Sequence, residues 1–282
     1  MDQRIIDLYD SFTHGLINRR DFMDRLTTVA GSSAAAVALL PLLQNDYARA
    51  ATVAVDDARF ATETVSYDAG GAKISGYLAR LKAKGKRPAI IVIHENRGLN
   101  PHIQDIARRL ALDMLSPQGG TPGDEDKARD MFAALKLDET AQQIAAAVPF
   151  LAKHPESTGN VGAVGFCWGG GMVNRVAVLS PDLKAGVAYY GAQPQASQVP
   201  SIHAALLLHY AGLDTRINAG IPAYEAALKA AGKRYAIYVY PDVNHAFNND
   251  TGGDRYNKPA ADLAWSRTLA FLTENLGAPP KS

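Results

Sequence analysis

The sequence predicts an α/β fold built on a mostly parallel sheet with helices on both faces. Two observations predict it. Five short runs, Ala89 to His94 (AIIVIH), Val161 to Phe166 (VGAVGF), Ala185 to Tyr190 (AGVAYY), Ala204 to His209 (AALLLH) and Tyr235 to Tyr240 (YAIYVY), are apolar almost throughout. Strands buried on both faces of a parallel sheet read this way. Helical stretches separate the runs, and strands alternating with helices form such a sheet.

The elements follow in order. Thr62 to Tyr67, Gly70-Gly71 and Lys73 to Leu78 read as a hairpin, because polar and apolar residues alternate on either side of a glycine turn. Ile103 to Leu112 (IQDIARRLAL) reads as a helix. Met172 to Leu179 is an apolar helix directly after a strand. Ile221 to Ala231 has Pro222 in its first turn, Tyr224 and Leu228 one turn apart, and Gly232 as a stop.

Composition narrows the function. The chain has 282 residues, 47% hydrophobic and 20% charged, enough for one sizeable core. Its formal net charge of +1, with no basic stretch that alternates with aromatics, gives no sign of a nucleic-acid partner. The single cysteine excludes an internal disulfide.

Residues 1–50 read as a twin-arginine leader and residues 51–282 as the domain. Asn18-Arg19-Arg20-Asp21-Phe22-Met23 is an arginine pair followed by a large apolar residue. The Ala-rich run Val29 to Leu43 follows, and Ala48-Arg49-Ala50 fits a small-residue cleavage site. The run is shorter than the ~20 residues that span a bilayer, so no membrane span is expected in the mature chain. This reading places the protein in the periplasm or outside the cell. Asp2, Asp7, Asp10 and Asp24 sit oddly in a leader. They leave open a cytoplasmic protein with an uncleaved N-terminal helix packed on the domain or pairing subunits.

The strongest local signal is Gly165-Phe166-Cys167-Trp168-Gly169-Gly170-Gly171, between a buried strand and a helix. It is the elbow pattern G-x-nucleophile-x-G with cysteine in the serine position. So sharp a turn needs small residues two before and two after the nucleophile, and it holds the nucleophile in a strained backbone conformation. The Trp168 N–H lies at the start of the helix, where positive partial charge favours a thiolate and a developing oxyanion. A lone cysteine is more often a buried apolar residue; set in this elbow, Cys167 reads as a nucleophile.

Such a nucleophile needs an acid after a later strand and a histidine after the next. Asp214 follows AALLLHYAGL, and His245 follows YAIYVYPDVN. Each by itself would be a loop residue; in this order they read as orienter and base. His209 precedes the acid and is the weaker base. His14, His102, His154 and His203 have no such setting. His94-Glu95-Asn96-Arg97-Gly98 lacks the second histidine of a zinc H-E-x-x-H motif. It lies where this fold takes its second oxyanion N–H, that of Asn96, with Glu95 either at the mouth of the site or an ordinary solvated charge.

Together, GFCWGG, the order Cys167, Asp214, His245, and HENRGLN with Glu95 resemble the dienelactone hydrolases, carboxymethylenebutenolidase-like proteins of the α/β-hydrolase fold. The resemblance runs from about Thr62 to Leu276. It implies acyl transfer from an ester or lactone substrate, with no metal or organic cofactor. Cys167 would attack, His245 act as base and Asp214 orient it. Trp168 and Asn96 would supply oxyanion N–H groups, and Glu95 would hold the resting thiol. Two departures stand out. Ala246, Phe247, Asn248 and Asn249 follow His245 where the family has an arginine for a substrate carboxylate, leaving Arg97, Arg216 and Arg255 as substitutes. Also, Asp113-Met114-Leu115 follows the helix ending at Leu112 at once. The fold is therefore expected to be short of one strand around residues 112–113, about 6–10 residues by ordinary strand lengths. That deletion supports a rival reading, a hydrolase-fold protein that no longer catalyses; another is a general carboxylesterase or thioesterase.

Overall fold

A computed structural model describes residues 1–45, 53, 54, 56–107 and 125–277 of the chain. Three helices come first: α1 (Gln3–Thr13), α2 (Arg19–Ala30) and α3 (Ser33–Leu43). Each opens on a side chain that accepts from a free N–H of its first turn: Asp2 from Arg4, Asn18 from Asp21 and Ser32 from Ala35. They share a small core of Ile5, Tyr9, Phe12, Phe22, Leu26 and Leu43, in which the Phe12 and Phe22 rings stack at 4.6 Å. Among the described residues no single helix is long and apolar enough to cross a membrane; α2 and α3 qualify only as a pair, bent by 110°.

β1 (Phe60–Ala69) and β2 (Ala72–Leu81) form the expected antiparallel hairpin. Its turn falls on Gly70 and Gly71, both at positive φ, which side chains resist. Then come β3 (Arg87–Ile93), α4 (Pro101–Ala107), α5 (Glu125–Ala133), α6 (Leu137–Ala145), α7 (Ala147–Ala152), β4 (Ser157–Phe166) and α8 (Trp168–Leu179). β5 (Ala185–Tyr189), β6 (Ala205–Ala211), α9 (Thr215–Asn218), α10 (Ile221–Ala230), β7 (Tyr235–Tyr240) and α11 (Lys258–Leu276) complete the order.

The five apolar runs form one parallel sheet in the order β3-β4-β5-β6-β7. Alternate side chains serve opposite faces. Ile91, Ala163, Ala188 and Leu206 pack with Ile144 and Val148 of α6 and α7, Val173 of α8 and Leu228 of α10. Val92, Val164, Val187 and Leu207 pack with Ile103 and Ile106 of α4 and with Ala264 and Leu272 of α11. Helices thus cover both faces. Because all five strands run the same way, the loops after β3, β4, β6 and β7 leave from one edge, where α/β sites assemble.

The strand expected to be missing around residues 112–113 lies outside the described residues, as does the end of the helix expected to run to Leu112. What surrounds its place is described. The hairpin forms a sheet of its own, and among the described residues β3 pairs with β4 alone. Between β2 and β3 lies a cleft of about 510 Å³ whose lining includes Tyr77, Leu81, Ala89, Ile91, Phe150 and Leu272.

Candidate active site

β4 ends at Phe166 and α8 begins at Trp168, so Cys167 makes the turn by itself, at φ 55° and ψ −116°. A non-glycine residue held there stores strain and persists only where its surroundings fix it. Those surroundings are backbone. The Cys167 N–H donates to the Tyr189 carbonyl (3.0 Å), and its own carbonyl accepts from the Gly171 N–H (3.1 Å). A Cβ added to Gly165 would stand 2.2 Å from the Gly169 carbonyl oxygen, and one on Gly169 would stand 2.2 Å from that of Ile93. The elbow glycines are therefore required by close approach.

Asp214, on the loop after β6, caps α9 by accepting from the Ile217 N–H through Oδ1 (3.1 Å). Its Oδ2 meets Nδ1 of His245 at 2.5 Å, and both side chains are almost wholly buried. His245 stands on the loop after β7, which turns through Asp242 and Ala246 at positive φ. Its Nε2 has no hydrogen-bond partner among the described residues, and a ring nitrogen of His245 lies within 4.8 Å of Cys167 Sγ. The three residues singled out by chain order therefore meet at one point.

Glu95 is buried in the site wall, with Oε2 accepting from Asn249 Nδ2 (3.1 Å). The resemblance gives Glu95 to the resting thiol, but the thiol has another partner here. Trp168, in the first turn of α8, stacks its ring on His94 at 5.7 Å. Asn96 Nδ2 donates to the Thr13 carbonyl (2.7 Å), and Arg97 Nη2 to the Tyr9 hydroxyl (3.1 Å). His209 is a satisfied core residue: Tyr240 and Thr268 bond its two nitrogens, and burial pushes it down to about 3.

The residue that sequence reasoning passed over is His14. Its Nε2 lies 3.2 Å from Cys167 Sγ, in hydrogen-bond contact with the thiol. Its Nδ1 bonds the Asp10 carbonyl (2.7 Å) and faces Asp10 Oδ1 at 3.2 Å. Its ring meets that of His245 edge-on at 4.7 Å. One signal could have found it: Asp10 and His14 stand one helical turn apart, where side chains on a helix pair.

The N-terminal helices are tied down around this contact. Arg216 faces Asp10 at 3.7 Å, and Arg255 donates to the Leu43 carbonyl (3.3 Å) and to Asn45 Oδ1 (2.8 Å). Gln3 bonds Asn244, beside His245. Arg97, Arg216 and Arg255, the candidate anchors for a substrate carboxylate, all engage the chain's own N-terminal segment.

Charge follows the geometry. Burial would raise the Cys167 thiol, but the charges of His14 and His245 and the hydrogen bond from His14 bring it down to about 6. Burial would lower His14, yet the thiolate and Asp10 lift it to about 9. His245 is held well above its ordinary value against burial by Asp10, the thiolate and Asp214, while its bond holds Asp214 low against the same penalty. Donor atoms of His14, Cys167 and His245 lie within 4.8 Å of one another, a set that could also close on a borderline-soft cation such as zinc.

A cysteine elbow between a parallel strand and a helix, with an acid and a histidine on the loops after β6 and β7, defines an α/β-hydrolase. The chain belongs to the dienelactone hydrolase family, whose family model matches residues 74–276. A second, YqhI-like family model matches residues 1–31. A carboxymethylenebutenolidase-like protein of Saccharolobus solfataricus is 32% identical over 252 residues, covering 74% of this chain and 96% of the relative. The hydrolase fragment YghX of Escherichia coli is 44% identical over 107 residues, 34% of this chain and 92% of the fragment. Among solved structures, a dienelactone-hydrolase-like protein of Klebsiella pneumoniae superposes with a TM-score of 0.68 at 27% identity, covering 76% of this chain and 99% of the other.

Proposed function

We propose that this hydrolase cleaves a carboxylic ester or lactone through a cysteinyl acyl-enzyme. The observation that carries the reading is the strained elbow thiol beside a histidine that has one nitrogen on a buried aspartate and the other unbonded. The Cys167 thiolate attacks the carbonyl carbon, and the N–H groups of Trp168 and Asn96 receive the oxyanion. The intermediate collapses and the alcohol leaves, protonated by a neighbouring imidazolium. Water, deprotonated by His245, then cleaves the thioester while Asp214 holds the ring in the needed tautomer.

The names of relatives favour a lactone of the carboxymethylenebutenolide kind. The engagement of Arg97, Arg216 and Arg255 with the N-terminal helices favours the second reading, an esterase for substrates without a carboxylate. A panel of p-nitrophenyl esters and lactones run on wild type beside Cys167→Ala tests the proposal. Turnover abolished in the variant, and by iodoacetamide in wild type, is expected; full activity in Cys167→Ala refutes it. Export by the twin-arginine route is a separate proposal, supported by Asn18–Met23. Cell fractionation with N-terminal sequencing tests it and also reports whether the chain is cut after Ala50.

A further inference from the structure

Two histidine–aspartate pairs converge on one sulfur from opposite directions in the chain. One, Asp214–His245, comes from the loops after β6 and β7. The other, Asp10–His14, comes from α1, and among the described residues only its histidine is hydrogen-bonded to Sγ. The two differ in surroundings as well. A cleft of about 240 Å³ between α1 and the catalytic loops is lined by His245, Asp214, Asn244, Arg216 and Asp10 but not by His14 or Cys167. The cleft adjoins His245, while His14 meets the thiol from outside the cleft's lining.

We propose that His14 is a catalytic residue, the proton partner of Cys167, and that Asp10 positions it, so the N-terminal helices form part of the active site. The proposal rests on reading Cys167 as the nucleophile. The thiol proton passes from Sγ to His14 Nε2, leaving a thiolate beside an imidazolium. The sulfur lone pair forms the C–S bond as the carbonyl π pair moves to oxygen. Collapse breaks the C–O bond, and the departing alkoxide takes the proton from His14. In the second half, His245 takes a proton from water, hydroxide attacks the thioester and the C–S bond breaks. The thiolate recovers a proton from His245, and the products are one acid and one alcohol. His14 thus serves acylation and His245 deacylation.

The segment that carries His14 is fixed for this purpose. The Asp10 backbone carbonyl bonds His14 Nδ1 and its carboxylate faces the ring as a charge at 3.2 Å, Arg216 faces Asp10, Asn96 bonds Thr13, and Arg97 bonds Tyr9. Its ends are held too, Met1 by Asp254 and Leu43 by Arg255. The charged and titratable groups around His14 and the thiol are Asp10 on α1, His245 and Asp214 on the catalytic loops, Arg216 on α9, Arg255 beside Asp10, and Tyr190 with Glu95 in the wall.

The test compares full-length wild type with His14→Asn, Asp10→Asn and His245→Asn, each checked for a native melting curve. p-Nitrophenyl acetate reports the acylation burst and the later steady state, and iodoacetamide reports the thiolate as a function of pH. His14→Asn should cut the burst rate by about 100-fold or more, the range of a lost proton-transfer group. It should move the alkylation midpoint from about 6 toward the ordinary thiol value of about 8.5. Thioester hydrolysis, measured on pre-acylated enzyme, should fall far less than the burst, by about tenfold at most, the size of a contact effect between two rings that meet at 4.7 Å. Asp10→Asn should shift the midpoint the same way by less, and it decides the matter if His14→Asn does not fold. His245→Asn should instead slow deacylation. An unchanged or faster burst in His14→Asn overturns the proposal, the faster one by making His14 a cover over the nucleophile. Loss of activity on chelation overturns it by making the cluster a metal site. Active enzyme that begins at residue 51 overturns it outright. Full activity in Cys167→Ala would instead remove the nucleophile reading beneath it.

Discussion

Gly169→Ala and Gly171→Ala look alike in sequence and should behave oppositely. A Cβ on Gly169 would lie 2.2 Å from the carbonyl oxygen of Ile93 and 2.5 Å from that of His94. Both atoms are backbone at the end of β3, so relief requires α8 and the strand to part by about an ångström, against ordinary contact distances of about 3.5 Å. Overpacking of this kind costs typically about 1–3 kcal/mol, and a backbone obstacle puts it at the upper end. Against a total stability of ~5–15 kcal/mol that is a large fraction. At about 2–4 °C per kcal/mol for a chain this long, the melting temperature should fall by roughly 6–12 °C. A Cβ on Gly171, two residues further along the same helix, would come no closer than 3.4 Å, to the Ala192 N–H group. That is ordinary contact, and alanine is the better helix former by up to ~1 kcal/mol. Gly171→Ala should therefore melt at or slightly above wild type. Thermal unfolding followed by circular dichroism compares the two. Because Glu95 and Asn96 follow the displaced strand end, Gly169→Ala should also lose kcat, and Gly171→Ala should not. A Gly169→Ala protein that melts within a degree of wild type would refute the close packing of β3 on the elbow.

Asp214→Asn should lower kcat by about 10³–10⁴-fold, because the amide cannot hold the tautomer that leaves the other ring nitrogen free to accept a proton. The same pair sets a pH dependence. The folded value of Asp214 is depressed, so its stabilisation is present above the unfolded value of about 3.9 and is lost as pH falls through the lowered folded one. Melting temperatures measured from pH 5 down to pH 2 should converge for wild type and Asp214→Asn toward the acid end. Inserting an apolar strand-forming segment of about 8–10 residues between Leu112 and Asp113 should raise the melting temperature and the esterase rate together by covering the outer edge of β3. A fall in both means that the short connection is native design.

The strands were legible because burial on both faces leaves no polar positions to blur the runs, and the elbow was legible because backbone contact at Gly165 and Gly169 forbids any larger residue. Asp214 and His245 could be found only together, since each sits on a loop of turn residues and only their order after β4 separates them from ordinary caps. Asp214 is in fact both, N-cap of α9 and partner of His245. His14 was not legible for a different reason. Its contact with Cys167 spans 153 positions, and no local pattern announces a pairing at that distance. The nearby arginine pair and apolar run supplied a competing meaning for the segment. The same competition affected Arg97, Arg216 and Arg255, whose charge suggested an external anion when their partners are Tyr9, Asp10, Leu43 and Asn45 of the same chain.

Residues 1–45 carry two features that folding by itself does not require together. Asp10, His14 and Thr13 are bound inward, to the site and its loops. Arg19 and Arg20 are exposed and occupy the first turn of α2 together with Asp21. The proposed export route would read the arginine pair from outside, and the proposed chemistry at Cys167 uses the inward set. Both demands are met together only if the segment is read from outside while it stays seated on the site. The proposal that joins them is a chain recognised through Arg19 and Arg20 that keeps its N-terminal helices, because removing them would strip the thiol of His14, the one histidine hydrogen-bonded to it among the described residues.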